Sequence, residues 1–281
     1  MVNFNGNLVQ KAETAVGTDN RGLNYGDAVF ETLRVSGSKI FFWEDHYFRL
    51  MASMRILRME IPVNFTLEFL ENEVLKIVNT FSEKNSSYNV KILVWRKAGG
   101  KYGPTTNEID YLVTGSKIDA PFYTLNDSKY EVELFKDHYV TSGLLSTLKS
   151  NNKIVNVLGS IFANENDYQN CLLLNEAKMI VEALNGNLFL VNGNKIKTPP
   201  LIDGCLNGIL RKQIIAICKQ LPDYTLEEDS VSPFELQKAD EMFITNVISG
   251  IQPITKYRKK EYSNSVAKDL MTKINVRARL T

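Results

Sequence analysis

Apolar positions first recur with a helical period between residues 44 and 59. Tyr47, Leu50, Met51, Met54 and Leu57 form one stripe, and Asp45 sits near its start. Residues 66–84 repeat the pattern with Leu67, Leu70, Val74, Ile77, Val78 and Phe81, and Thr66 can cap that helix after Pro62. The run VKILVW at 90–95 is β-branched and apolar, which predicts a buried strand. It leads through a glycine-rich loop, Arg96 to Pro104, into a return strand at 109–116. Residues 117–129 are polar and irregular, with Pro121, and read as a linker. The expected division is a small N-terminal α/β domain, 1–116, and a larger C-terminal one, 130–281. In the second, Tyr130, Val132 and Leu134 alternate with Glu131 and Glu133, as in a half-buried strand. A helix follows Asn151 or Asn152, and strands are expected at 171–174, 178–183 and 187–191, the last turned by Asn192-Gly193-Asn194. A helix at about 206–220 and a strand at 241–246 complete the pattern. Strands and helices mix in both halves without strict alternation, so the expected class is α/β (α+β) in two subdomains. No GxGxxG follows a strand, which removes the dinucleotide fingerprint.

Charge narrows the function. Lys plus Arg is 33 and Asp plus Glu is 32, so a dominant nucleic-acid or anionic-membrane surface is not expected. Three cysteines are an odd number, and Cys171 and Cys218 lie in apolar surroundings, so buried free thiols are expected rather than a disulfide. His46 and His138 are the two histidines, far apart in sequence, and no metal site is expected. The segment MVNFNGNLVQ lacks the pattern of a signal peptide, and no apolar run nears the roughly 20 residues of a membrane helix, so the expected compartment is the cytoplasm.

Four features carry candidate chemistry, each beside a plainer reading. Lys149, in Ser146-Thr147-Leu148-Lys149-Ser150-Asn151-Asn152, is a nucleophile if desolvated or set near another cation, and otherwise a solvated lysine at a helix start. Glu182 is one carboxylate in the apolar stretch 179–184, so it is exposed or has a partner. Arg49 falls opposite the apolar stripe of its helix, which points to solvent, or to a cleft holding an anion. The run Gly204 to Arg211 opens a helix whose first N–H groups can bind an anion, or is a plain helix entry.

Several stretches together resemble the class IV aminotransferases, a family that includes branched-chain and D-amino-acid aminotransferases and aminodeoxychorismate lyase. They are Asn20 to Arg34; Lys149-Ser150-Asn151-Asn152; Glu182 with Asn187-Leu188-Phe189; Thr198-Pro199-Pro200 and Asp203-Gly204 leading to Gly208-Ile209; Ala239-Asp240-Glu241 with Thr245-Asn246; and Gln252-Pro253-Ile254. Each motif is weak alone, but six in one order are specific. The resemblance implies a two-domain fold type IV enzyme, usually a homodimer, with pyridoxal 5'-phosphate in the cleft between domains. It implies that Lys149 forms the Schiff base and shuttles the proton, and that Glu182 pairs with the pyridinium nitrogen. It implies that Arg49, the N–H groups around Ile209 and Leu210, and Thr245 hold the phosphate, with Asn246 adjoining. Lys153 falls near the cofactor's phenolic oxygen, where branched-chain enzymes have tyrosine and the lyases often a basic residue. Tyr25, Phe30, Arg96 and Lys101 fall on the substrate side, and the 96–102 loop is similar to the lyase version. The implied activity is aminodeoxychorismate lyase-like, releasing pyruvate and 4-aminobenzoate in folate biosynthesis. The alternatives are an aminotransferase for branched-chain or D-amino acids with a 2-oxo acid acceptor, and a non-catalytic binding protein of the same fold.

Overall fold

The computed structural model describes residues 1–11, 16–83, 86–118 and 120–280. Its chain divides into two units, Met1–Phe122 with Lys149–Asn152, and Tyr123–Leu148 with Lys153–Leu280. The first unit therefore takes back a four-residue piece that lies beyond the boundary expected from sequence.

Its sheet comprises β1 (Val2–Phe4), β2 (Asn7–Val9), β3 (Ala28–Ser36), β4 (Lys39–Ile40), β5 (Ser87–Arg96) and β6 (Ile109–Ile118), in the order β2-β1-β6-β5-β3-β4. The helices are α1 (Arg21–Tyr25), α2 (Trp43–Ile56) and α3 (Leu67–Val78). Val29, Leu33 and Val35 of β3 join Val90, Ile92 and Val94 of β5 in one core with Leu50, Met54, Leu70, Val74 and Ile77 of the two longer helices. Alternation puts Glu31, opposite Ile92, on that helix-covered face. Phe30 opposite Leu93 and Thr32 opposite Lys91 lie on the other face.

The pattern located both helices and overran their ends. α2 stops at Ile56 because Arg58 turns into the left-handed region, φ 54°, where the Met59 N–H reaches the Met54 carbonyl. α3 stops at Val78, although Phe81 keeps the apolar period: its ring stacks on Tyr88, centroids 4.7 Å apart, from outside the helix. Residue 84 of that expected helix lies outside the described residues. β5 extends over 87–96 rather than 90–95, since β3 and β6 pair with all of it, polar ends included. β6 runs through Ile118, so the first two residues read as linker are strand, and Asp119 lies outside the described residues. β1, β2 and β3 carried no strand expectation.

The second unit contains β7 (Glu131–Val140), β8 (Asn170–Asn175), β9 (Ile180–Ala183), β10 (Asn187–Asn192), β11 (Lys195–Thr198), β12 (Thr225–Glu228), β13 (Glu241–Asn246), β14 (Gly250–Ile254), β15 (Lys256–Tyr257) and β16 (Lys260–Glu261). Its helices are α4 (Ile154–Glu165), α5 (Ile209–Cys218), α6 (Pro233–Leu236) and α7 (Ser265–Leu280). Two five-stranded sheets run β12-β11-β10-β13-β14 and β16-β15-β7-β8-β9. Leu172, Ile180, Leu188, Leu190, Met242 and Ile244 share one core across both. The β10–β11 hairpin turns at Gly193, φ 58°, as its sequence predicts. β9 begins at Ile180, not 178, because Lys178 is in a turn at φ 61°. The C-terminal helix α7 was not foreseen; the buried Glu241 carboxylate accepts the Val266 and Ala267 N–H groups and holds its start. Cys171, Cys205 and Cys218 are buried free thiols, and burial raises all three.

Candidate active site

The Lys149 segment lies along the edge of β3. The Phe30 N–H donates to the Lys149 carbonyl at 2.8 Å, and the Asn151 N–H donates to the Ala28 carbonyl at 3.0 Å. This backbone pairing brings the Lys149 ammonium 4.5 Å from the centre of the Phe30 ring. Lys91 reaches the same ring, 4.3 Å from its centre, and burial lowers its amine from the ordinary lysine value. Two lysines thus share one aromatic ring, an arrangement that partly desolvates cations and retains attraction to the ring.

Behind β3, Glu31 accepts from Nε and Nη2 of Arg49 at 2.7 and 2.6 Å, and pairs with His46 Nδ1 at 2.7 Å. The solvent reading of Arg49 is therefore corrected: only 11% of its side chain is exposed. Helical periodicity located the apolar stripe of α2 but had no knowledge of a carboxylate on the facing strand. Burial alone would raise Glu31; the Arg49 guanidinium and the His46 imidazole more than reverse this and hold it at about 2. Burial lowers His46, against the pull of Glu31.

Glu31 lies below its ordinary 4.5, so its contribution is full above pH 4.5 and is lost as pH falls through about 2. His46, kept neutral by burial, adds a loss of the same sign as pH falls below 6.5. We expect Glu31→Gln to cost on the order of 3 kcal/mol at pH 7, with the gap from wild type shrinking toward pH 3. Urea midpoints at both pH values measure this, and a gap independent of pH would refute the ion-pair account.

The substrate-side expectation for Arg96 requires correction. Arg96 is buried and spends all five N–H donors inside the protein, on Asp27 (twice), the Leu57 and Arg58 carbonyls, and Asn107. It braces the root of the glycine-rich loop and has no donor left for a ligand. Arg21, unremarked in the sequence, is also buried; it binds Asp27 and the carbonyls of Gly99 and Lys101. Its guanidinium lies 4.9 Å from the Tyr25 ring centre, and Tyr25 meets Tyr102 at 5.7 Å between centroids. Lys101 itself is exposed on that loop.

The second unit gathers a different set. Glu182 on β9 is buried, and one of its oxygens accepts the Leu206 N–H at 2.8 Å. Asn187 pairs with Thr245 across β10 and β13, and its amide donates to the Leu206 carbonyl at 2.8 Å. A Cβ on Gly208 would come within 2.0 Å of the Asn187 side-chain oxygen, so this approach requires glycine. The Gly208 N–H turns back to the Leu206 carbonyl at 2.8 Å, and α5 starts at Ile209, three residues later than expected. No side chain caps α5, so the N–H groups of Ile209 and Leu210 open its positive end. Thr245 is 2% exposed, and its hydroxyl has no hydrogen-bond partner. A buried unsatisfied hydroxyl is costly, and its presence points to a missing acceptor or donor. The Asn246 side-chain oxygen accepts from the N–H groups of Ile248 and Ser249. Lys153, half-buried, immediately precedes α4.

An orphaned Thr245 hydroxyl and open helix N–H groups suit a phosphate, and a buried carboxylate suits a protonated ring nitrogen. The donor set therefore fits pyridoxal phosphate. Glu31, His46 and Lys91 escaped the sequence reading. Glu31 and Lys91 are each a lone charge in an apolar run, and the test applied to Glu182 would have flagged them.

Fold and donor set together define an amino-transferase class of protein, of fold type IV. The amino-transferase class IV model matches residues 28–257, and the chain belongs to that family. It is 26% identical over 257 residues to the D-alanine aminotransferase of Bacillus licheniformis, covering 90% of this chain and 86% of that one. It is also 26% identical over 246 residues to the aminodeoxychorismate lyase of Vibrio harveyi, covering 86% and 88%. Among solved structures, the branched-chain amino acid aminotransferase of Thermobaculum terrenum in PLP-form superposes with a TM-score of 0.84 at 21% identity, covering 100% and 94%.

Proposed function

We propose that this chain is a pyridoxal-phosphate enzyme of the aminodeoxychorismate lyase type, releasing pyruvate and 4-aminobenzoate. The observation that favours the lyase is Lys153, a basic residue before α4 where the branched-chain enzymes carry tyrosine. Arg96 no longer contributes to that argument, since its donors are spent. The second reading is amino transfer from branched-chain or D-amino acids to a 2-oxo acid, supported by relatives at equal identity. A substrate panel decides between them: pyruvate release from aminodeoxychorismate against 2-oxoglutarate-dependent amino transfer. Amino transfer without pyruvate release would overturn the lyase reading.

When bound, the cofactor supplies an aldehyde that carries the substrate amine and a ring that delocalises an electron pair. Lys149 supplies the amine that holds this aldehyde, and its Nζ then takes and returns the proton. Glu182 keeps a proton on the ring nitrogen. The Leu206 N–H fixes that carboxylate in place. Thr245, the Ile209 and Leu210 N–H groups and Arg49 hold the phosphate. Phe30, Lys91, Tyr25 and Lys101 serve the substrate side.

Arg49→Ala is expected to weaken cofactor binding about 10- to 150-fold, the range for one charged hydrogen bond. Arg55→Ala, on the same helix, is the control. Because Arg49→Ala also strips Glu31 of its partner, the comparison is repeated in a Glu31→Gln background. Equal cofactor dissociation from the arginine variants would confine Arg49 to its pair with Glu31.

A homodimer is part of this proposal. Ile154, Val157 and Ile161 form an exposed apolar stripe on α4, and Leu144 and Leu145 are 62% and 65% exposed. A second copy would cover them, and sedimentation of Val157→Asp as a monomer is the expected result. Among the described residues no helix is long and apolar enough to cross a membrane. We place the enzyme in the cytoplasm and its partners among small amino acids and aminodeoxychorismate.

A further inference from the structure

The second unit has a cavity of about 590 Å³ to which nothing above assigns a role. Leu174 and Met179, at the ends of β8 and of the turn into β9, and Phe234, at the start of α6, supply apolar walls. Lys136, Lys178 and Arg258 line it as cations, and no carboxylate among the described residues does. Arg258 is paired with Glu133 at 3.2 Å. Among the described residues neither Lys136 nor Lys178 has a carboxylate partner. Lys178 is held in place by its backbone: at φ 61°, its N–H donates to the Asn175 carbonyl. Phe234 is 81% exposed, an aromatic ring left in water on the wall that Lys136 and Lys178 also line.

We propose that this cavity binds a small apolar carboxylate, an aromatic or branched acid without an ammonium group. The volume lies within the range of small-molecule sites. Phe234, Met179 and Leu174 accept the apolar body, and Lys136 and Lys178 attract the anionic head. A zwitterionic amino acid would bring its ammonium group toward the same cations. The site therefore discriminates an amino acid from the corresponding 2-oxo or aryl acid.

Equilibrium dialysis of 2-naphthoate against the full chain, saturated with pyridoxal phosphate, tests the proposal. One equivalent is expected to bind. Lys136→Glu/Lys178→Glu should weaken it at least about tenfold, since attraction at the head becomes repulsion. Phe234→Ala should weaken it severalfold, and 2-naphthylmethylammonium should fail to compete. The substituted side chains are exposed, so matched thermal melts are expected to show intact folds. Binding that survives both the double charge reversal and Phe234→Ala, or no binding to wild type, overturns the proposal. So does a dimer that Phe234→Asp dissociates, which would assign the groove to a second copy.

Discussion

Lys149→Ala is expected to reduce turnover below about one ten-thousandth of wild type, because in the proposed mechanism one side chain supplies both the nucleophilic amine and the proton carrier. The structure gives this role a local basis. Lys149 is tied to β3 by backbone hydrogen bonds, and its ammonium lies 4.5 Å from the Phe30 ring. Lys91 sits against the same ring at 4.3 Å, from β5. Borohydride reduction followed by peptide mapping checks the assignment independently of activity. The reduced cofactor adduct is expected on Lys149, and an adduct on Lys153, or none, would remove Lys149 from the centre of the mechanism. The fold should be unchanged in the alanine variant, because the hydrogen bonds from Phe30 and Asn151 involve backbone atoms alone.

Glu182→Gln carries the second largest effect. The carboxylate is 8% exposed and oriented by the Leu206 N–H at 2.8 Å, and a glutamine oxygen can accept the same bond. What changes is charge: an amide cannot hold a proton on the ring nitrogen. Turnover should fall by roughly two to four orders of magnitude, while cofactor affinity changes little, because the proposed phosphate donors lie elsewhere. Single-turnover kinetics and cofactor titration separate the two quantities. Unchanged turnover would make Glu182 a structural acceptor for the 206–208 loop and nothing more.

The backbone around the candidate site was partly legible in sequence, because some of its motifs encode local backbone events. Gly208 precedes Ile209 where a side chain would collide with Asn187, and Gly193 turns β10 into β11. Helical and strand periods located α2, α3, α5, β5 and β13, because burial of one face is a one-dimensional signal. Element ends were less accurate, since they depend on partners. Phe81 continues the apolar period of α3 but packs from a turn. The polar start of β5 is strand because β3 and β6 both pair with it from Ser87 onward.

Arg49 and Arg96 mark the boundary between the two kinds of knowledge. Sequence determined that both are arginines, one opposite an apolar helical stripe and one at the root of a glycine-rich loop. It determined the family, through the order of motifs around Lys149 and Glu182. Tertiary structure alone decided that Glu31 holds Arg49 from the strand behind it. It alone decided that Asp27, Asn107 and two carbonyls take every donor of Arg96. The physical reason is that a buried charge is defined by its partners, and these partners come from residues 11 to 69 positions away in the chain. Periodicity reports which face of an element is apolar; it holds no information on which carboxylate meets a guanidinium across a sheet.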